Sequence, residues 1–270
     1  MKNVLSIVFL LYACIALDAQ EKLPMFSIFK ENYLTTGFPL NTEPDFDTND
    51  VAFQVSMRFN VAQDIHEKDW DVFAGFTEMS IWDAYKPSNP FRSSIYSAGL
   101  YIYHPLVRRD GDVVSDILFG IEHRSNGYDS YLSRDLNYLF CTFTRTFGYH
   151  FTLQATGRFG IASIGNESSL EMYDRYQGYV NIAMMYSTRD RRLMISSSVT
   201  PLFGDIPCNV SAELAYRPIR DYDWFYLTAR YHYGYDENQL DCAMPDVFLK
   251  QMLRFGLSIQ PGLLSHKLFF

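Results

Sequence analysis

From Val51 to Val61 the chain alternates without a break. Val51, Phe53, Val55, Met57, Phe59 and Val61 are apolar, while Ala52, Gln54, Ser56, Arg58 and Asn60 between them are small or polar. Successive side chains of an extended strand point to opposite faces, so a period of two predicts a strand with one apolar and one polar face. The pattern returns in Phe151, Leu153, Ala155 and Phe159 against Thr152, Gln154, Thr156 and Arg158. It returns again in Leu249, Leu253, Phe255, Leu257 and Ile259 against Lys250, Arg254 and Ser258. Several of these runs reach about ten residues, the length that a tilted strand needs to cross a bilayer. Turn-rich or charged stretches at 41–50, 62–70, 83–93, 106–115, 126–134, 164–174, 187–192, 218–223 and 236–246 leave room for about a dozen strands. The expectation is an all-β fold, a single transmembrane antiparallel β-barrel of about 12 strands.

The N-terminus modifies this picture. Lys2 precedes a short apolar stretch, Val4 to Leu17, and Ala16-Leu17-Asp18-Ala19-Gln20 offers a cleavage site after Ala19. Residues 1–19 therefore read as a secretory signal and 20–270 as the barrel. A lipoprotein signal acylated at Cys14 is the rival, which Tyr12 and the continuing apolar stretch fit poorly. Beyond this segment no run of eighteen apolar residues occurs, which argues against a helical membrane protein. The chain ends in Leu268-Phe269-Phe270, as outer-membrane barrels commonly do.

Composition agrees. Aromatics make up 17% of the chain, with 20 Tyr and 22 Phe, a load suited to interfacial girdles. A net charge of −8 gives no reason to expect nucleic-acid binding. Once Cys14 leaves with the signal, Cys141, Cys208 and Cys242 remain, an odd number without metal-type spacing. Cys141 reads as a small wall residue. His104, His150, His232 and His266 read as wall, loop or girdle residues, and Asp45, Asp47 and Asp50 as a solvated acidic loop.

The candidate chemistry lies between residues 121 and 138. His123 and Ser125 are two apart, hence on one face of a strand. Asn137 follows across a stretch rich in turn residues, including Asn126, Gly127, Asp129 and Ser130. A hairpin there would return Asn137 beside His123 and Ser125. A hydroxyl, an imidazole and an amide able to orient the ring are the parts of a nucleophilic hydrolase. His123 and Ser125 share the parity of Ile117, Phe119 and Ile121, and Asn137 that of Leu139, Cys141 and Phe143. On a membrane barrel that face meets lipid. A nucleophile facing lipid points to hydrolysis of lipid esters.

The segment His123-Arg124-Ser125-Asn126-Gly127, with Ser133-Arg134 and Asn137, resembles the motif of the outer membrane phospholipase A family of Gram-negative bacteria. Asn32-Tyr33-Leu34, Val51 to Met57, Ser88-Asn89-Pro90-Phe91-Arg92, Tyr176 to Tyr179, and Gly234-Tyr235 with Asp241 are similar to further parts of that family. The resemblance implies Ser125 as nucleophile, His123 as general base, Asn137 as the residue orienting the imidazole, and the Gly127 N–H as oxyanion donor. It implies calcium as cofactor, with the Ser133 side chain and the Tyr128 carbonyl as ligands. The Ser88 carbonyl would come from the second subunit of a homodimer. The substrate would be membrane phospholipid, cleaved at sn-1 and sn-2 esters, and the location the bacterial outer membrane, with the active site near the outer leaflet. Two departures stand out: Tyr128 occupies a position where the family often has Arg, and Glu78 falls where an uncharged amide is expected. Two other readings compete. A passive barrel, porin or structural, leaves polar groups of catalytic type on a lipid face unexplained. A soluble esterase would need a nucleophile elbow such as GxSxG, which Ser125 lacks.

Overall fold

The computed structural model describes residues 24–63, 69–110, 112–129, 133, 135–148, 150–161, 178–203, 206–222, 224–235 and 250–260. The expected signal, the loops at 164–174 and 236–246 and the terminal Phe270 lie outside the described residues. Within them the strands run β1 (Phe26–Ser27), β2 (Asn32–Pro39), β3 (Asp50–Ala62), β4 (Asp71–Trp82), β5 (Phe91–Arg109), β6 (Asp112–Ser125) and β7 (Asp135–Phe147). They continue with β8 (Phe151–Ile161), β9 (Val180–Ser187), β10 (Leu193–Pro201), β11 (Cys208–Tyr216), β12 (Phe225–Gly234) and β13 (Lys250–Ile259). Strands β2 to β13 pair antiparallel in chain order, and β13 pairs with β2, closing a twelve-stranded barrel. Closure removes the sheet edges, so every strand finds hydrogen-bond partners on both sides without water.

The alternation read from the sequence maps onto the wall with polar residues inside. Arg58, Thr142, Gln154, Thr156 and Arg254 are buried in the lumen, whereas Leu34, Phe59, Phe143, Met184, Leu227 and Phe255 are exposed on the outer surface. This is the reverse of a soluble protein and matches a barrel whose solvent is lipid. The connections after β2, β4, β6, β8, β10 and β12 leave one rim, and most are longer than those at the other. Long loops mark the extracellular rim of such barrels, and the catalytic candidates sit there.

Among the described residues, aromatic and charged side chains occupy the lumen. β1 and β2 lie in turn along β3, with Phe26 opposite Phe59 and Tyr33 opposite Gln54. Between them the chain leaves the wall, and Phe29, Lys30 and Glu31 are buried. Phe29 packs on Phe73 and Tyr101, in a cluster with Ile95, Leu118, Leu136, Tyr138 and Phe140. Glu31 accepts from Arg230 at 2.9 Å and from Gln260 at 2.7 Å. Nearer the loop rim, Asp50 accepts from Arg254 at 2.8 and 3.0 Å and pairs with Arg92 at 3.3 Å. Asp50 is therefore an interior anchor, not the solvated loop residue expected. Asp45 does sit in an exposed loop, where the Thr48 hydroxyl and nearby backbone N–H groups hold its carboxyl below the usual range.

The connections differ from expectation in three places: the stretch 106–115, and the turns joining β7 to β8 and β10 to β11, which fall outside the expected loops. The stretch 106–115 reads as a loop because of Pro105, two arginines and Asp110. In the structure β5 runs on to Arg109 and turns directly into β6. Register shifts at Pro105/Val107 and Val107/Arg108 absorb the proline, which has no N–H to give the ladder. The tight turn around Gly148, at φ +62°, carries too few turn residues to be conspicuous.

Candidate active site

The strand pair β6–β7 builds the site. Its register sets His123 opposite Asn137 and Ser125 opposite Asp135, with Ala98 and Tyr96 of β5 on the other side. His123 Nδ1 and Asn137 Oδ1 lie 2.9 Å apart. An amide oxygen can only accept, so Nδ1 carries the proton and the Nε2 lone pair is left free to accept one. Ser125 is one residue pair nearer the rim on the same face as His123. His123 is exposed, and Ser125 and Asn137 are half-buried. Their outward row continues into Ile121 and Leu139, both well exposed. His123 and Asn137 thus meet on the outward face, and Ser125 shares that face one position nearer the rim.

The connection after Ser125 is shaped by its own side chains. Asn126 is buried, and its Oδ1 accepts from the Tyr128 N–H at 3.3 Å, an Asx turn that bends the chain immediately after the strand. Gly127 has φ +70°, a region that glycine enters without steric cost. A Cβ there would come within 2.8 Å of the Tyr96 ring, so Gly127 also lets the loop settle against the β5 side chain beside Ser125. Tyr128 is exposed and Ser133 half-buried on the same connection.

Ser88 lies on the neighbouring connection at the same rim. That loop is held by Trp82 Nε1 donating to the Asn89 carbonyl at 2.9 Å and by Asn89 N–H donating to Lys86 at 3.0 Å. Ser88 and Asn89 adopt φ +70° and +46°, a left-handed turn conformation shared with Asp69, Asp110 and Arg191. Among the described residues no three His, Cys, Asp or Glu side chains gather into a metal cluster. The candidate ligands are instead hydroxyl and carbonyl oxygens, hard donors of the type calcium takes, and they fit such an ion. Glu78, flagged by sequence, is half-buried on the outward row: it pairs with Tyr96, which in turn pairs with Ser125.

One element of the site was not visible in the sequence. Behind the outward row, Glu122 is fully buried in the lumen. It accepts from Tyr101 OH at 2.6 Å, from Arg124 Nε at 3.0 Å and from Tyr138 OH, and it pairs with Lys30 Nζ at 3.3 Å. Glu122 and Arg124 flank His123, and Tyr138 follows Asn137. The network therefore clamps from inside the two strands that present the catalytic row outside. Inward parity could have suggested a luminal role for Glu122, but its partner ninety-two residues away could not be read from spacing.

Comparison with known proteins agrees with this fold. The family model described as Phospholipase A1 matches residues 22–245. A curated protein of Neisseria meningitidis serogroup B, provisionally named a phospholipase A1, is 24% identical over 153 residues, covering 54% of this chain but only 40% of that protein. The outer membrane phospholipase A of Escherichia coli superposes with a TM-score of 0.72 at 18% identity, over 87% of this chain and 94% of its own. The Salmonella typhi outer membrane phospholipase, a dimer with bound calcium, gives 0.73 at 19% identity over 90% and 95%. An asparagine-to-alanine active-site mutant of the E. coli protein gives 0.73 at 17% identity over 90% and 95%. The barrel is thus of the bacterial outer-membrane type, and with the family model matched over most of its length, the chain belongs to the phospholipase A1 family.

Proposed function

We propose that this protein hydrolyses the sn-1 and sn-2 acyl esters of phospholipids at the outer membrane, with Ser125, His123 and Asn137 as a catalytic triad. The observation that carries the reading is the 2.9 Å contact of His123 Nδ1 with Asn137 Oδ1 on the lipid-facing surface, with Ser125 in the adjacent outward row. Active-site status of an asparagine in the E. coli relative supports the role of Asn137. The packed lumen speaks against a diffusion pore.

The chemistry follows from the groups. Ser125 Oγ attacks the ester carbonyl while His123 Nε2 takes its proton. Asn137 keeps the ring in the tautomer that makes Nε2 the acceptor. It stabilises the imidazolium less than a carboxylate would, because it is uncharged. The Gly127 N–H, aimed by its positive φ and the Asn126 turn, donates to the developing oxyanion. His123 then returns the proton to the leaving alkoxide, which departs as lysophospholipid. Water, deprotonated by the same nitrogen, releases the fatty acid from Ser125.

Calcium is the implied cofactor, held by the Ser133 side chain, the Tyr128 carbonyl and, from the second copy of a homodimer, the Ser88 carbonyl. When bound there it would supply positive charge and ordered water beside the oxyanion. The Salmonella relative, a dimer with bound calcium, supports this part. The barrel domain over 20–270, freed of a signal at 1–19, completes the proposal.

A long-chain alkyl fluorophosphonate tests the nucleophile. It should phosphonylate Ser125 with loss of fluoride, and mass spectrometry of the peptide would locate the adduct. Labelling should collapse in His123→Ala. An adduct on another serine, or labelling indifferent to His123, would sink the assignment.

A further inference from the structure

The rim opposite the long loops carries an arginine cluster on two adjacent turns. The β9–β10 turn holds Arg189, Arg191 and Arg192, and the β11–β12 turn Arg217 and Arg220, against Asp190, Asp221 and Asp223. Arg192 and Arg217 stand opposite each other, one pair beyond Leu193 and Tyr216, and the Arg217 N–H donates to the Arg192 carbonyl at 2.8 Å. Like charges placed directly opposite on neighbouring strands repel. Both guanidinium groups are tethered at one nitrogen: Arg192 Nη2 donates to Tyr216 OH at 2.8 Å, and Arg217 Nη2 donates to the Asp190 carbonyl. Both side chains are half-buried, and the Nε–H of each is shielded from water with no acceptor among the described residues. Such a donor is costly until an acceptor reaches it. Asp190 Oδ1 is engaged within its own turn, where it accepts from the Thr188 hydroxyl at 2.7 Å and the Arg192 backbone N–H at 3.2 Å.

We infer that Arg192 and Arg217 bind the phosphate of an anionic phospholipid in the leaflet opposite the catalytic row. A phosphate oxygen between the two side chains would take both Nε–H groups after a small rotation of each guanidinium, and its charge would cancel their repulsion. The depth is that of a headgroup. Tyr186 and Tyr216 are exposed just inside the turns, and Tyr222 and Trp224 lie beside them with ring centroids 5.5 Å apart, an aromatic girdle of the kind that marks the membrane interface. Further along the wall Ile195, Leu214 and Leu227 are exposed on the lipid face and give the acyl chains an apolar surface. A choline headgroup would bring its ammonium against Arg189, Arg191 and Arg220, so the site favours a headgroup without a cation. Inorganic phosphate offers the same oxygens but has no chains to lay along the wall.

Native mass spectrometry of the detergent-refolded protein tests this by titration with ether-linked phosphatidylglycerol and phosphatidylcholine, lipids that an esterase leaves intact. The wild type should retain phosphatidylglycerol in preference. Arg192→Gln with Arg217→Gln should weaken that binding roughly tenfold or more, the loss of a charge-assisted hydrogen bond. Arg108→Gln with Arg109→Gln, at an exposed turn of the same rim, removes equal charge and should leave it unchanged. Arg192→Lys with Arg217→Lys keeps the charge without the planar fork and should lose most of the preference, so it carries the test should the glutamine protein not fold. Full preference in the lysine protein, or equal loss in the Arg108 and Arg109 variant, would assign the effect to net charge and overturn the inference. Equal retention of both lipids by the wild type would overturn it outright. Excess inorganic phosphate at constant ionic strength should leave the lipid bound, and displacement by it would mark a free-anion site instead.

Discussion

Glu122→Ala is the most informative perturbation of the scaffold beneath the site. The side chain is fully buried and receives Tyr101, Tyr138, Arg124 and Lys30 at once. Removing it takes the carboxylate from Lys30, itself 3% exposed, and the acceptor from two buried hydroxyls. Breaking one side of a buried ion pair costs about 3–5 kcal/mol, and each hydroxyl that loses this acceptor adds about 1–3 kcal/mol. These groups form one network, so the losses overlap, and about 5 kcal/mol is the expected total. Lys30→Met should cost less, about 1–3 kcal/mol, because Arg124 and both tyrosines still hold the carboxylate. The order of the two variants is the sharper expectation. Urea unfolding of vesicle-refolded protein, followed through Trp70, Trp82 and Trp224, would measure both. Esterase activity of the folded Glu122→Ala fraction should also fall, since His123 loses the interior clamp on its strand. A Glu122→Ala protein within about 1 kcal/mol of wild type, or a Lys30→Met protein that is the weaker of the two, would mean that Glu122 is not the centre of the buried network.

Other substitutions probe the outer surface and the loop. Asn137→Ala removes one hydrogen bond worth about 1.4 kcal/mol, so kcat should drop roughly tenfold with KM little changed, as steady-state kinetics would show. Gly127→Ala meets both a positive φ and the Tyr96 ring. Adding Tyr96→Ala should relieve the contact but not the strain of about 1–2 kcal/mol, giving partial rescue of activity. Phe255→Arg sets a charge on the lipid face and should cost about 2–4 kcal/mol in the same unfolding assay. Chelation should abolish turnover and calcium restore it, whereas magnesium, which demands tighter octahedral geometry, should not.

Much of this molecule was legible because a membrane barrel repeats a period-two rule around its wall. The parity shared by Phe119, Ile121, His123 and Ser125 predicts the outward face that His123 and Ser125 occupy, and the turn-rich stretch after Ser125 anticipated the His123–Asn137 pairing. Local signals failed where partners are distant or breakers are absorbed. Nothing in Phe29-Lys30-Glu31 says that the chain leaves the wall there, since the side chains that receive it lie on remote strands. Asp50 sits in an acidic sequence yet pairs with Arg254, 204 residues away. Pro105 reads as the end of a strand, but a bulge lets β5 continue past it.

The proposed chemistry is cleavage of phospholipid esters by Ser125 from the lipid side of the barrel. The direct measurement is fatty-acid release from phosphatidylethanolamine in detergent micelles, by refolded wild type and Ser125→Ala, each with calcium and with chelator. Release by the wild type with calcium, and by neither the chelated enzyme nor the variant, is the predicted result. A folded, calcium-supplied wild type that releases no fatty acid, or a Ser125→Ala protein that releases as much, would contradict it.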